Sequence, residues 1–214
     1  MDAALRSGVV TRGFMSTDDP ALMDLATTTG FEVVERPAEL CSNTALGEHA
    51  YRHGLQVIRE RLGVEPELLV LLFCNAATVS PAQIVEGVEA LRRDSTIDSA
   101  VTVSRYNMWS PLRARQRDGE GLLQPFVPFE IFGDPKTLNC DRDSQGDVWF
   151  ADVALSVIRP GNLDALDDGL LPQKWMGRRI WPILNEAGLD VDYEWQLGQV
   201  EWWLKKHGRV PAGA

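Results

Sequence analysis

An α/β fold with a mostly parallel sheet is the class this sequence predicts, on three observations. From Val9 to Ser104 the pattern reads strand, helix, strand, helix, strand, helix, strand, the alternation that builds parallel sheets with helices on both faces. Leu68 to Phe73 is apolar without interruption, as expected of a strand covered on both sides. The 214 residues carry no internal repeat, low-complexity stretch or linker, so residues 1–214 read as one domain.

Each element has a local cause. The first residues, MDAALRSG, read as the tail of a helix ending at Gly8. Val9 to Ser16 is a strand, and Thr17-Asp18-Asp19-Pro20 opens a helix with Asp18 as N-cap and Pro20 in the first turn. That helix stops near Gly30. Phe31 to Val34 is a second strand, followed by a polar loop from Arg36 to Asn43. Thr44 to Leu62 is helical with Gly63 as C-cap. Ser80-Pro81 opens a helix to about Arg93, and Ser99 to Ser104 alternates as a strand. Residues 106–147 are Pro-rich and aromatic-rich, an irregular insertion suited to dimerisation or to a substrate lid. Val148 to Ile158 returns as a strand, Leu163 to Gly177 is loop and short helix, and Ile180 to Ile183 and Leu189 to Val191 are short strands. Trp195 to His207 is a final helix ended by Gly208.

The bulk properties exclude several functions. Thirty-one acidic against 21 basic side chains leave a formal net charge of −10, which repels nucleic acid and anionic membranes. Cys41, Cys74 and Cys140 show no CxxC spacing, which indicates a reduced, cytoplasmic setting rather than a disulfide framework. The longest apolar run is too short to span a membrane, and the first residues lack the apolar core of a signal peptide.

Chemistry concentrates in a few segments. In Asp190-Val191-Asp192 the two carboxylates share one face when extended and can reach one Mg²⁺ that bridges substrate phosphates; the plain alternative is a solvated acidic turn. Arg36, opening Arg36-Pro37-Ala38-Glu39-Leu40, suits bidentate or stacked contact with a nucleotide, or a surface pair with Glu35 or Glu39. Asp141 to Asp147 approaches a calcium-loop pattern but has Gln145 and Asp152 where that pattern needs other ligands, so it reads as a turn. His49 and His53 lie four apart without a third ligand and read as helix-surface residues. Lys174 to Arg179 is the densest cationic cluster, an exposed loop or a partner for a carboxylate or phosphate. Neither GxSxG nor GxxxxGK[ST] occurs. In open parallel sheets ligands bind beyond the carboxyl ends of the strands, where Ser16–Asp19, Cys74–Ser80 and Asp190–Asp192 are expected to converge.

Taken in order, Ala3-Ala4-Leu5-Arg6-Ser7, Ser16-Thr17-Asp18-Asp19, Arg36-Pro37-Ala38-Glu39-Leu40, the strand and loop at Leu71 to Ser80, and Leu189-Asp190-Val191-Asp192-Tyr193-Glu194 resemble the cytidylyltransferases that make CMP-activated sialic acids and related sugar acids. The resemblance covers nearly the whole chain. It implies a Rossmann-like nucleotidyltransferase fold, CTP and a small acidic sugar (a sialic-acid-like nonulosonate or an octulosonate) as substrates, and Mg²⁺ as cofactor. The sugar's anomeric hydroxyl would attack the α-phosphorus of CTP and release pyrophosphate. By the same resemblance Asp190 and Asp192 hold the metal, Arg36 lies near the cytidine, and Asn75 belongs to the loop shaping the pocket. The resemblance also implies that Arg142, Asp152 and Lys174 face the sugar or pyrophosphate side and that a homodimer would form through the insertion.

Two departures qualify it. The family's opening strand and its glycine- and lysine-rich triphosphate loop have no counterpart, so a sheet with its first strand missing and unpaired edges is expected, from a start lying upstream. Phe73-Cys74-Asn75-Ala76-Ala77 replaces the family's Gln-Pro-Thr-Ser-Pro loop, which points to an acceptor other than sialic acid itself. Two further readings follow: a non-catalytic relative serving as a binding or dimerisation module, and a glycosyltransferase with a metal-binding DxD.

Overall fold

A computed structural model describes residues 1–209 apart from 43 and 144. The end of the loop expected to reach 43, and position 144 within the Asp141–Asp147 turn, lie outside the described residues. Helix α1 (Asp2–Ser7) ends at Gly8 as expected. Strand β1 (Phe14–Thr17) is shorter than the apolar pattern, because Val9 and Val10 pack against the core without joining a ladder. Helix α2 (Pro20–Thr28) is capped by Asp19 rather than Asp18: its carboxylate accepts from the Ala21 and Leu22 N–H groups at 2.7 and 3.3 Å. Strand β2 (Glu32–Glu35) runs parallel to β1. Helix α3 (Gly47–Leu62) ends at Gly63, whose φ of 68° is the left-handed C-cap conformation.

Strand β3 (Leu69–Leu72) leads to helix α4 (Pro81–Arg93), opened by a capping box in which Ser80 and Gln83 satisfy each other's backbone N–H. Strand β4 (Ser99–Arg105) follows. Within the insertion a small hairpin, β5 (Arg115–Arg117) and β6 (Leu123–Pro125), closes around Asp118, whose carboxylate accepts from the Glu120 and Leu122 amides. The chain returns through β7 (Trp149–Ile158), a short helix α5 (Gly161–Asp164), β8 (Ile180–Asn185) and helix α6 (Leu197–Lys206). Leu189 to Val191 forms no strand. No helix among the described residues is long and apolar enough to cross a membrane.

The expected mostly parallel sheet is corrected to a mixed one. The main sheet has the order β3-β7-β4-β8, with β7 antiparallel to both neighbours and β4 parallel to β8. The reason lies in the connection. Between β4 and β7 the chain makes the irregular insertion instead of a crossover helix, so it re-enters at the end where it left. β1 and β2 form a separate two-stranded sheet. Among the described residues no backbone hydrogen bond reaches the outer edge of β1 or of β3.

Two apolar clusters hold the layers. On one face Ala3 and Ala4 of α1 and Ile84, Val88 and Leu91 of α4 pack on Ala100, Leu155, Val157 and Ile183. On the other, Leu55 of α3 meets Leu69, Val101, Ile158, Leu163 and Trp175. Arg159 joins strand and helix ends, donating to the carbonyls of Leu91 at 2.7 Å and Ile97 at 2.8 Å at the C-terminus of α4.

Helix α4 approaches the sheet most closely at Gly87, where a Cβ would stand 2.7 Å from Val157 and 2.9 Å from Ile183. Gly87→Leu is expected to overpack this interface and lower stability by about 1–3 kcal/mol. Urea denaturation measures it, and an unchanged midpoint would contradict the close docking of α4.

Candidate active site at the carboxyl ends of the strands

The site is organised by a bulge in β7. Val101 pairs with Ser156 and Val103 with Ala151, so Thr102 alone faces the segment from Asp152 to Leu155. Thr102 supplies the missing ladder partners: its Oγ1 accepts from the Leu155 N–H at 3.0 Å and donates to the Leu155 carbonyl at 3.3 Å. Val153 is driven to φ 49°, a conformation that β-branched residues avoid.

The bulge turns Asp152 inward, leaving it 5% exposed. Its Oδ2 accepts from Ser104 Oγ at 2.8 Å and Asn185 Nδ2 at 3.0 Å, and its Oδ1 from the Ala154 N–H at 3.2 Å. A buried carboxylate is tolerable only when hydrogen-bonded in this way. The same donors reach onward. Ser104 Oγ accepts from the Gly188 N–H at 2.9 Å, and Asn185 Nδ2 also donates to the Thr78 carbonyl at 2.9 Å. Thr78 Oγ1 accepts from the Leu189 N–H at 3.4 Å. Tyr106 Oη donates to the Gly188 carbonyl at 2.9 Å and accepts from Gln199 Nε2 at 3.0 Å. Burial pushes the Tyr106 phenol above its ordinary pKa.

Immediately beyond this network stands the acid pair. The Val191 N–H donates to the Asn75 carbonyl at 2.8 Å, and Asn75 Nδ2 lies 3.5 Å from the Val191 carbonyl. The amides of Asp192 and Tyr193 both donate to Gln196 Oε1 at 2.7 Å, so the backbone is held on both sides of the carboxylates. Asp190 is partly buried and Asp192 exposed. No hydrogen bond or ion pair engages either carboxylate among the described residues, and no cluster of three acidic, His or Cys groups includes them. Tyr193 and Trp195, 65% and 74% exposed, stack nearly parallel beside them.

The expected convergence is realised between Cys74–Ser80 and Asp190–Asp192, which hydrogen-bond directly. Ser16 to Asp19 is met by Arg36 and Cys41. Arg36 Nη2 donates to the Ser16 carbonyl at 2.6 Å, and Cys41 sits against Asp18. The Arg36 charge also acts on Tyr51, whose ring packs edge-on at 5.7 Å against Phe73, the residue before Cys74.

Three other candidates are engaged by protein groups. Asp152 is sealed within the network. Arg142 is paired with Asp143 at 2.6 Å and borders a shallow depression lined by Arg105, Tyr106, Asn107 and Met108. Lys174 is paired with Asp167 at 2.8 Å, which raises the lysine's pKa. The cationic cluster is largely structural: the amides of Arg178 and Arg179 both donate to Asp98 Oδ2 at 2.8 Å, at the start of β8 and the opposite end from the acids. Ser104, Tyr106 and Asn185 escaped sequence reasoning. Single polar residues in strands and loops have no spacing signal; only the glycine before the acid pair offered a hint.

No family model matches the chain, and no curated protein matches it. Among solved structures it is similar to a CMP:2-keto-3-deoxy-manno-octonic acid synthetase complexed with CTP. The TM-score is 0.61 at 13% identity, covering 96% of this chain and 86% of that one. A looser likeness, with TM-score 0.48 and 11% identity over 99% of this chain and 76% of the other, links it to glucosyl-3-phosphoglycerate synthase from Mycobacterium tuberculosis in complex with phosphoglyceric acid. The first likeness shows the fold: a mixed α/β architecture shared with that synthetase.

Burial, with a smaller contribution from Glu48, pushes the Tyr51 phenol up to about 12. Its folded pKa exceeds the unfolded value near 10, so its contribution to stability is complete below pH 10 and fades as pH rises towards 12. Phenolate absorbance is expected to show a late ionisation near pH 12 that Tyr51→Phe removes. A wild-type titration finishing near pH 10 would contradict the burial of this ring.

Proposed function

We propose that this chain is a cytidylyltransferase that transfers CMP from CTP to an acidic sugar, a nonulosonate or octulosonate, with release of pyrophosphate. The observation that carries the reading is the acid pair, its backbone pinned to Asn75 at the carboxyl end of the sheet. It stands in a fold similar to that of a synthetase complexed with CTP.

The donor set fits Mg²⁺. The carboxylates of Asp190 and Asp192 are unengaged by other described residues, and two carboxylates leave positions for water and substrate phosphates. Bound there, the ion would neutralise charge developing on the transferred phosphoryl group. The chain's own residues orient the reactants. Arg36, carried on the end of β2, offers its remaining guanidinium donors towards the nucleotide, and Asn75 fixes the floor beneath the acids. The sugar's anomeric hydroxyl attacks the α-phosphorus and loses its proton to water, the bond to the β-phosphate oxygen breaks, and pyrophosphate leaves.

In this reading Arg142 and Lys174 serve the sugar or pyrophosphate side only if ligand binding releases them from Asp143 and Asp167. The exposed Trp109, Phe126 and Ile131 of the insertion support its use as a homodimer contact. A second reading, a binding module without catalysis, is favoured by the outer edges of β1 and β3, which no backbone hydrogen bond reaches among the described residues.

Calorimetric titration with CTP and Mg²⁺ tests the first reading. Asp192→Asn is expected to weaken binding about tenfold, roughly 1.4 kcal/mol, without loss of fold. Arg36→Ala is expected to weaken it by a similar factor. Unchanged affinity in either variant would contradict the role assigned to that residue, and no binding by wild type would favour the module.

A further inference from the structure

We propose that the β7 bulge and the Ala187-Gly188 turn form a strained positioning device for the acid pair, with Asp152 as its positioning residue. What the acids do rests on the reading above; how they are held does not.

Strain is concentrated at one contact. Among the described residues the two non-glycine residues with positive φ are Val153, at 49°, and Ala187, at 55°. They are chain neighbours of Asp152 and Gly188, the two residues that meet. The approach is so close that a Cβ on Gly188 would lie 2.0 Å from Asp152 Oδ2 and 2.4 Å from Asn185 Nδ2. Only glycine fits. Left-handed backbone at alanine and valine is unfavourable and persists where surrounding contacts over-determine it.

Those contacts are present on both sides. Asp152 Oδ2 gathers Ser104 and Asn185. Ser104 holds the Gly188 N–H, Tyr106 holds the Gly188 carbonyl, and Gln199 Nε2 donates to the Ala187 carbonyl at 2.8 Å. The turn is thus gripped at consecutive peptide groups, and Asp190 emerges two residues later. Glycine at position 187 would relieve the strain; alanine there costs stability while limiting how the turn can move. A device of this kind trades stability for a fixed direction of the two carboxylates.

The test uses Ala187→Gly, Asp152→Ala and Asp152→Asn, read by thermal unfolding, by exchange of assigned amides, and by Mn²⁺ affinity. Ala187→Gly is expected to raise Tm by about 2–4 °C. In the same variant the Leu189 and Val191 amides, bonded to Thr78 and Asn75, are expected to exchange roughly tenfold faster, and Mn²⁺ to bind roughly tenfold more weakly, the effect of about 1.4 kcal/mol. Asp152→Ala is expected to loosen the same two amides, and Asp152→Asn, which keeps an acceptor oxygen for Ser104 or Asn185, to restore most of their protection. Should Asp152→Ala fail to fold, Ala187→Gly decides alone. Protection of Leu189 and Val191 unchanged in Ala187→Gly would overturn the proposal. So would loosening spread evenly over β4 and β7. If wild type binds no Mn²⁺, the metal role of the acids falls, while the exchange data still decide whether the turn is positioned.

Discussion

The arrangement at the carboxyl ends of the strands depends on one buried group, the carboxylate of Asp152. Once removed from water it requires donors, and Ser104, Asn185 and the Ala154 amide supply them. Each side-chain donor is shared with another element. Ser104 reaches the Gly188 turn, and Asn185 reaches the Thr78 carbonyl and, through its Oδ1, the indole of Trp203 on α6. Satisfying one carboxylate therefore brings together β4, β7, β8, the loop after β3 and the last helix. Apolar packing fixes the layers, but this polar network fixes which backbone groups face one another where they end.

The consequence is a division of labour among charges. Among the described residues no partner engages the carboxylates of Asp190 and Asp192, whereas Asp98, Asp152, Asp143 and Asp167 are committed to backbone amides, polar side chains or cations. The cations divide similarly. Arg159, Arg178 and Arg179 stabilise helix ends and turns away from the acids, and Arg36 caps the Ser16 carbonyl at the crevice. With a net charge of −10, a site for an anionic nucleotide needs a metal or a few well-placed cations.

Much of this was legible in the sequence, and the limits have physical causes. Helices α2, α3 and α4 were readable because capping residues and helical periodicity act locally, although the cap of α2 falls on Asp19 instead of Asp18. The buried runs of β3, β4 and β7 were readable from apolar content. The direction of β7 was not, since an apolar strand reads the same in both directions and only its connection sets its partner. The meeting of Asn75 with Val191 followed from the rule that loops at carboxyl ends converge. Asp152 was expected to face substrate, but a bulge turns it into the protein, and bulges arise from pairing over long sequence separation rather than from local residue type. Gln196 caps the amides of Asp192 and Tyr193.

The central claim is that nucleotide binds at the carboxyl ends of β3 and β8, against the acid pair. Mapping amide shifts of isotopically labelled protein during titration with CTP and Mg²⁺ tests it most directly. The account predicts the largest changes at Asn75 to Ser80, Gly188 to Asp192 and Arg36. Changes confined to the depression beside Arg142 and Asn107, or to the hairpin of the insertion, would contradict it.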